Sequence, residues 1–358
     1  MVTYLPREGV TSQSLTKHLL DTEHAHFLSF HFSLGVVFKM SIYRNTVWFV
    51  KGLREYTKSG YLAASKNFQE NDLDVDCAGR HYMITGANSG IGKCIATEIA
   101  KHGGTVHMVC RNSTTAEQAK KEIVETSGNE NVFVHILDIS QPKSVHQFAS
   151  EFEKTSDCLH VLVNNAGCMV NQRELVEDNL EKNFATNTLG TYLLTRTLLP
   201  LLKKSEKPRV VTVTSGGMLV QKLNPDDLQF EKMKPFDGTM AYAQNKRQQV
   251  VMTERLALEH PEIHFSCMHP GWADTPAVRS SMPDFYNKMK DKLRTAEEGA
   301  DTAVWLAISP SAELQKSGLF FQDRVPASTH LPLAWTKVCS DVEEKFMKSL
   351  EELSAQFS

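Results

Sequence analysis

The chain has 358 residues, with 39 Lys+Arg against 42 Asp+Glu, a formal net charge of −3, 41% hydrophobic and 23% charged residues. Values this close to the globular average exclude wholesale disorder, a collagen-like repeat and a disulfide miniprotein, and bound the chain at one or two packed domains. The near-neutral balance supplies no field that would draw the protein onto nucleic acid, and no local basic recognition module is present, so no nucleic-acid partner is expected.

The seven cysteines, Cys77, Cys94, Cys110, Cys158, Cys168, Cys267 and Cys339, are odd in number and scattered, with no CxxC pair. Several lie in apolar runs, where a free thiol is a small core hydrophobe, so a reducing, cytoplasmic setting is expected. His24, His26 and His31 have no cysteine or carboxylate cluster to complete a ligand set, and no metal is expected. The first 26 residues are polar and mixed in charge, which argues against a signal peptide. The apolar stretch Phe27 to Phe38 covers about half of the ~20 residues a bilayer-crossing helix needs. Met40 offers an alternative start that would make residues 1–39 dispensable.

From residue 40 to 60 the segment is basic and amphipathic: Ile42, Thr46, Phe49, Val50 and Leu53 recur at helical spacing, among Arg44, Lys51, Arg54 and Lys58. Two readings stand, a peripheral contact with a membrane or partner, or a helix packed on the protein's own core, and the second is favoured. Residues 1–78 are expected to form an N-terminal helical extension, 79–327 a single domain, and 328–358 a short tail.

After Asp76, short apolar runs alternate with helical patterns. Strands are predicted at 82–85, 105–109, 132–137, 159–163, 210–213, 263–268 and 319–322. Helices are predicted after Gly92, at 114–127, after Pro142, and at 178–202, 241–259 and 296–308. Strands apolar on both faces and separated by helices need crossover connections, so the fold class is α/β, a doubly wound and mostly parallel sheet. Ligands of such sheets bind at the carboxyl ends of the strands.

The loop after the first strand reads Gly86-Ala87-Asn88-Ser89-Gly90-Ile91-Gly92. Its glycines permit a tight turn and close approach to a pyrophosphate, while the following helix offers free N–H groups; Gly86, Asn88, Ser89, Gly90, Ile91 and Gly92 are the expected cradle. Where an NAD site places a carboxylate, at the end of the second strand, this chain has Arg111 and Asn112. A guanidinium there suits a 2′-phosphate, so NADP(H) is expected.

Tyr242 and Lys246 lie four residues apart on one helical face and can act on one molecule. A phenol with a pKa near ~10 is a poor acid/base at neutrality unless a neighbouring ammonium favours its ionised form, the role expected of Lys246. The strand before them ends in Thr214-Ser215, which delivers a hydroxyl to the ligand edge of the sheet.

With these motifs in order, the chain resembles a classical short-chain dehydrogenase/reductase of the retinol-dehydrogenase-like branch. The resemblance covers about Gly79 to Ala327. It implies that Asp138 contacts an adenine and that Asn165, in Asn164-Asn165-Ala166-Gly167, supports the sheet beside the cofactor. It further implies that Asn187 completes a tetrad with Ser215, Tyr242 and Lys246, and that Thr275, after Pro270-Gly271, holds a nicotinamide carboxamide. The resemblance selects Ser215 over Thr214, although 27 residues separate it from Tyr242.

The expected activity is hydride transfer between NADPH and a carbonyl or alcohol carbon of a small apolar or lipid-like substrate. Ser215 would polarise the oxygen, Tyr242 would donate the proton, Lys246 would lower the Tyr242 pKa and hold the ribose, and Asn187 would anchor a water. Residues 277–294, with Met282, Phe285, Tyr286 and Met289, occupy the place of the family's lid. Retinoids, steroids and lipid aldehydes are the candidates the resemblance brings, with retinal disfavoured because no spanning anchor is read. The alternative is an NADPH-binding regulator or docking protein without turnover. Self-association is left open.

Overall fold

The computed structural model describes residues 42–358. They fall into two compact units: residues up to Val47, of which 42–47 are described and helical, and the body from Trp48 to Ser358. His24, His26, His31, the stretch Phe27 to Phe38 and Met40 lie outside the described residues. Among the described residues, no helix is long and apolar enough to cross a membrane.

The body is built on one eight-stranded sheet. In chain order its strands are β1 (His81–Thr85), β2 (Thr105–Cys110), β3 (Val132–Ile136), β4 (Val161–Asn164), β5 (Arg209–Val213), β6 (His264–Met268), β7 (Leu319–Gln322) and β8 (Val325–Pro326). The spatial order is β3-β2-β1-β4-β5-β6-β7-β8, parallel throughout except for the antiparallel β8. The doubly wound α/β class expected from the sequence is what the chain adopts. Strand order reverses between β1 and β4, which opens a crevice at their carboxyl ends.

Alternation along each strand feeds two cores. Met83, Leu162, Val210 and Phe265 point to one face, and Tyr82, Ile84, Val161, Val163, Val211 and Val213 to the other. The second face is covered by α3 (Gly90–Lys101), α4 (Ser113–Ser127) and α11 (Ala296–Ile308), through residues such as Ile95, Ile99, Ile123 and Ala303. The first is covered by α5 (Pro142–Thr155), α7 (Thr191–Lys203), α8 (Gly238–Glu259) and α13 (Ser340–Ser354). Each fully buried Leu, Ile, Val or Phe contributes roughly 1.5–3 kcal/mol of transfer free energy, which the cost of ordering the chain largely offsets.

Four histidines run across one face of the sheet from the start of β4 through β1 and β2 to β3. The backbone N–H of His81 donates to His160 Nδ1 at 3.0 Å, His81 Nδ1 meets His107 Nε2 at 3.1 Å, and His107 Nδ1 meets His135 Nε2 at 3.0 Å. Burial holds His107 far below the ordinary imidazole range, at about 3, and His160 at about 4, and pushes His135 down as well.

Two terminal segments differ from the sequence expectation in what they pack against. Helical residues 48–55 (α1) lead into α2 (Lys58–Ser65). The helix does pack on the body, but through Trp48, Gly52 and Tyr56, with Gly52 laid against the Trp272 ring. The apolar stripe Phe49, Val50 and Leu53 is left 43%, 60% and 38% exposed, Phe49 leaning one side of its ring on Trp272 with centroids 5.8 Å apart. At the other end, the expected tail contains α13, whose Phe346 and Leu350 are fully buried in the main core. Amphipathic spacing at Phe346, Met347 and Leu350 was the available signal. Truncating Phe346→Ala should therefore cost about 3–5 kcal/mol in urea unfolding; a loss under about 1 kcal/mol would show that α13 is not part of the core.

Candidate active site

The glycine loop rests on a seam between β1 and β4. Thr85 Oγ1 accepts from the backbone N–H groups of Asn165 and Ala166 at 3.0 and 2.9 Å. In return Asn165 Nδ2 donates to the Thr85 carbonyl at 2.9 Å. Gly86 has φ +67°, and a side chain at Gly92 would collide with the Gly86 carbonyl and Asn165 Nδ2, so only glycine lets α3 approach the loop this closely. Ser89 caps α3 without a side-chain bond, leaving the first-turn N–H groups directed at the crevice.

These residues line a cleft of about 470 Å³ that runs from Arg111 and Asp138 to Tyr242 and Phe285. Every expected site residue except Asn187 lies on its wall: Gly86, Asn88, Ser89, Gly90, Ile91, Gly92, Arg111, Asn112, Asp138, Asn165, Ser215, Tyr242, Lys246 and Thr275. Several also have local duties. Asn112 Oδ1 caps α4 by accepting from the Thr115 N–H at 2.9 Å, and Asn88 Nδ2 donates to Thr115 Oγ1 at 2.9 Å. Asp138 Oδ1 accepts from the Ser140 N–H and hydroxyl at 2.9 and 2.8 Å, while its Oδ2 stands 3.9 Å from Arg111. Arg111 is 70% exposed, a cation held beside the cleft by one loose contact. Thr275 Oγ1 caps α9 (Pro276–Ser281) by accepting from Val278.

At the other end, α8 sets Tyr242 and Lys246 under the carboxyl ends of β4 and β5. The two hydroxyls at the end of β5 part ways. Thr214 Oγ1 donates to the Lys246 carbonyl at 2.8 Å and anchors the helix, whereas Ser215 Oγ faces the cleft and accepts from the Gly217 N–H at 3.2 Å. Accepting there leaves the Ser215 proton free to donate.

Lys246 is buried and its Nζ donates to the Val213 carbonyl at 2.9 Å and Gln249 Oε1 at 3.0 Å, 5.3 Å from the Tyr242 ring centroid. Burial without a paired anion pushes its pKa down to about 7. Burial pushes Tyr242 the other way, up to about 12, and a hydrogen bond with Ser215 only partly opposes it. The sequence argument expected Lys246 to lower the Tyr242 pKa. In the protein alone desolvation wins for both groups, because the ammonium is directed at Val213 and Gln249 and has itself lost much of its preference for charge.

Asn187 sits behind the wall, in the π-type turn Ala185–Gly190 between α6 (Lys182–Phe184) and α7. Its side chain is satisfied on both sides by Cys168: Nδ2 donates to the carbonyl at 2.8 Å and Oδ1 accepts from the N–H at 2.9 Å. The link to Lys246 runs through a residue the sequence reading missed. Gln249 Nε2 donates to the Asn187 carbonyl at 2.6 Å while its Oε1 accepts from Lys246. Its spacing, three residues after Lys246 and seven after Tyr242, was the signal. The apolar wall is Met169, Trp272, Val278, Met282 and Phe285. Of the anticipated lid residues, Met282 and Phe285 face the cleft, whereas Met289 is buried against Tyr56, Trp272 and Leu293.

Residues 80–225 match the family model described as short chain dehydrogenase. The chain belongs to the short-chain dehydrogenase family of oxidoreductases, as its ordered motifs indicated. It is 62% identical to Dehydrogenase/reductase SDR family member 12 of Bos taurus over 318 residues, 89% of this chain and 100% of that protein. It is 35% identical to Retinol dehydrogenase 11 of Homo sapiens over 253 residues, 70% of this chain and 79% of that one. A putative short chain dehydrogenase from Escherichia coli CFT073, solved complexed with NADPH, has a TM-score of 0.56 at 24% identity, over 72% of this chain and 100% of that chain.

The depressed Lys246 pKa has a stability consequence with a definite sign. Between about pH 7 and 10.5 the unfolded lysine binds a proton that the folded one does not, so stability from this group rises with pH across that window and is lowest below 7. Replacing Lys246→Met should raise the thermal midpoint of the ligand-free protein at pH 6, with the gap narrowing as pH climbs toward 10. A pH-independent gap in calorimetry would contradict the shift.

Proposed function

We propose that the chain transfers a hydride between NADP(H) and the carbonyl or alcohol carbon of a small apolar or lipid-like substrate, with Tyr242 as general acid/base. The observation that carries this reading is one continuous cleft with a phosphate-suited glycine loop and an exposed, loosely paired cation, Arg111, at one end and the Ser215 and Tyr242 hydroxyls at the other. The cradle fits the cofactor, since Gly92 has no room for a side chain and the α3 amides are open. The glycine loop and α3 would hold the pyrophosphate, Arg111 the 2′-phosphate, Asp138 the adenine side, Lys246 the ribose and Thr275 the carboxamide. NADPH supplies the hydride when bound.

The chain's own residues handle the oxygen and its proton. Ser215 Oγ, with its acceptor side occupied by Gly217, donates to the carbonyl oxygen and polarises the bond. Tyr242, neutral until about pH 12, holds the proton that the oxygen takes. Lys246 places its ammonium near the phenol and offsets the charge left there. Met169, Trp272 and Phe285 exclude water and favour an apolar substrate. The name of the relative Retinol dehydrogenase 11 accords with an apolar alcohol or aldehyde.

The test is turnover of decanal and 4-nitrobenzaldehyde with NADPH and with NADH. Tyr242→Phe should lower kcat by on the order of 10²–10⁴ while the NADPH Kd changes less than about twofold. A Phe variant as fast as wild type removes the acid/base assignment, and preference for NADH removes the Arg111 reading.

The outward stripe favours a second, compatible property, peripheral contact with a lipid surface. Phe49, Val50 and Leu53 are exposed beside the exposed cations Arg54 and Lys58. Sedimentation with phosphatidylserine-containing vesicles should be lost in the Phe49→Glu, Leu53→Glu double variant and weakened by high salt. Equal sedimentation of the two proteins would dismiss it.

A further inference from the structure

We propose that residues 48–57, which lie ahead of the segment matched to the dehydrogenase family, are a positioning element of the active site, and that Trp48 and His269 hold Ser215 through the Gly216 peptide. Gly216 directly follows Ser215, and its peptide groups are gripped from two sides. The Gly216 N–H donates to His269 Nδ1 at 2.8 Å, and its carbonyl accepts from Trp48 Nε1 at 2.7 Å. The first contact fixes the His269 tautomer with hydrogen on Nε2, because the accepting nitrogen carries none. Burial, reinforced by the charges of Arg294 and Lys51, keeps that imidazole neutral, so it does not become a donor at Nδ1.

The grip is backed by a packed aromatic cluster. Tyr56 stands perpendicular to His269 with ring centroids 4.3 Å apart, and Trp48 packs edge-on to Trp272 at 5.7 Å. Gly216 has no room for a side chain, since a Cβ there would lie 2.8 Å from His269 Nε2 and 3.0 Å from Tyr56 Cε2.

The segment is held independently by its backbone. The Tyr56 carbonyl accepts from the Trp272 N–H at 2.8 Å, and the Glu55 carbonyl at the end of α1 accepts from Arg294 Nη2 at 2.7 Å. Arg294 is itself fixed by a buried bidentate pair with Asp323, at 2.6 and 3.0 Å. Trp272 and Ser215 both line the cleft, so the same short segment braces the apolar wall and the hydroxyl that polarises the substrate oxygen. A donor displaced by a fraction of an ångström loses much of its value in the transition state.

The kinetic consequence rests on the carbonyl-reductase reading above; the structural one does not. The experiment is Trp48→Phe, which keeps a smaller aromatic ring against Trp272 and Tyr56 and removes the Nε1–H donor. Hydrogen exchange of backbone amides 216–218 should accelerate by on the order of tenfold, with β5 unchanged. For 4-nitrobenzaldehyde, kcat should fall by on the order of tenfold at constant NADPH Kd. His269→Asn, which keeps an acceptor near the Nδ1 position, should retain far more activity than His269→Leu. Unchanged exchange in Trp48→Phe overturns the proposal whether or not any probe is turned over. Faster exchange with unchanged kcat overturns the positioning role. Absence of wild-type turnover of every probe counts against the reductase reading alone, and the exchange result then decides the clamp.

Discussion

The cleft exists because β1 and β4 are neighbours whose following chain segments leave the sheet in opposite directions, and the two must nevertheless be stitched together at the point of departure. Thr85 and Asn165 do the stitching, hydroxyl to backbone and amide to backbone. From that seam the glycine loop turns one way into α3, and Asn165-Ala166-Gly167 turns the other way toward Cys168 and Asn187. The glycine-loop end and the Tyr242 end of the cleft thus share one anchor. A side chain at Gly92 would push against both halves of it.

Desolvation shapes the chemistry at the far end. Lys246 is buried and Tyr242 largely so at the cleft wall, and desolvation penalises whichever form is charged, so the lysine moves toward neutrality and the tyrosine away from ionisation. The result is a phenol that retains its proton beside an amine able to change state near neutral pH. Such a pair suits delivery of a proton to an oxygen and its later replacement, without requiring a resident phenolate. Gln249, bridging Lys246 to the Asn187 carbonyl, fixes where that amine points.

Much of this was legible in the sequence, for reasons that differ by residue. Strands such as Tyr82 to Thr85 and Val210 to Val213 announce themselves because burial on both faces demands uninterrupted apolar runs. Gly86 and Gly90 are legible because the turn takes them to positive φ, and Gly92 because a tight approach admits no substitute. Arg111 stands out because of what it replaces. The pKa directions were not legible, since they depend on enclosure that no motif spells out. Nor was the embrace of Gly216 by Trp48 and His269, groups 168 and 53 residues away in the chain. Amphipathic spacing in residues 42–53 was read correctly as a helix, yet spacing gives only the stripe and not the direction it faces. Here three small or aromatic residues on the other side, Trp48, Gly52 and Tyr56, dock the helix because their shapes fit Trp272.

The histidine row sets one further thing. His107 sits opposite Met83 in β1, and His135 opposite Val109 in β2, so each imidazole bond steps diagonally by two residues across the sheet. Slipping β2 or β3 by one residue would throw a histidine to the opposite face and break the row. The row therefore works as a gauge of register for β2 and β3. The far ends of those same strands carry Arg111 and Asp138, and the spacing between these two charges is measured out by imidazoles that never approach the cleft.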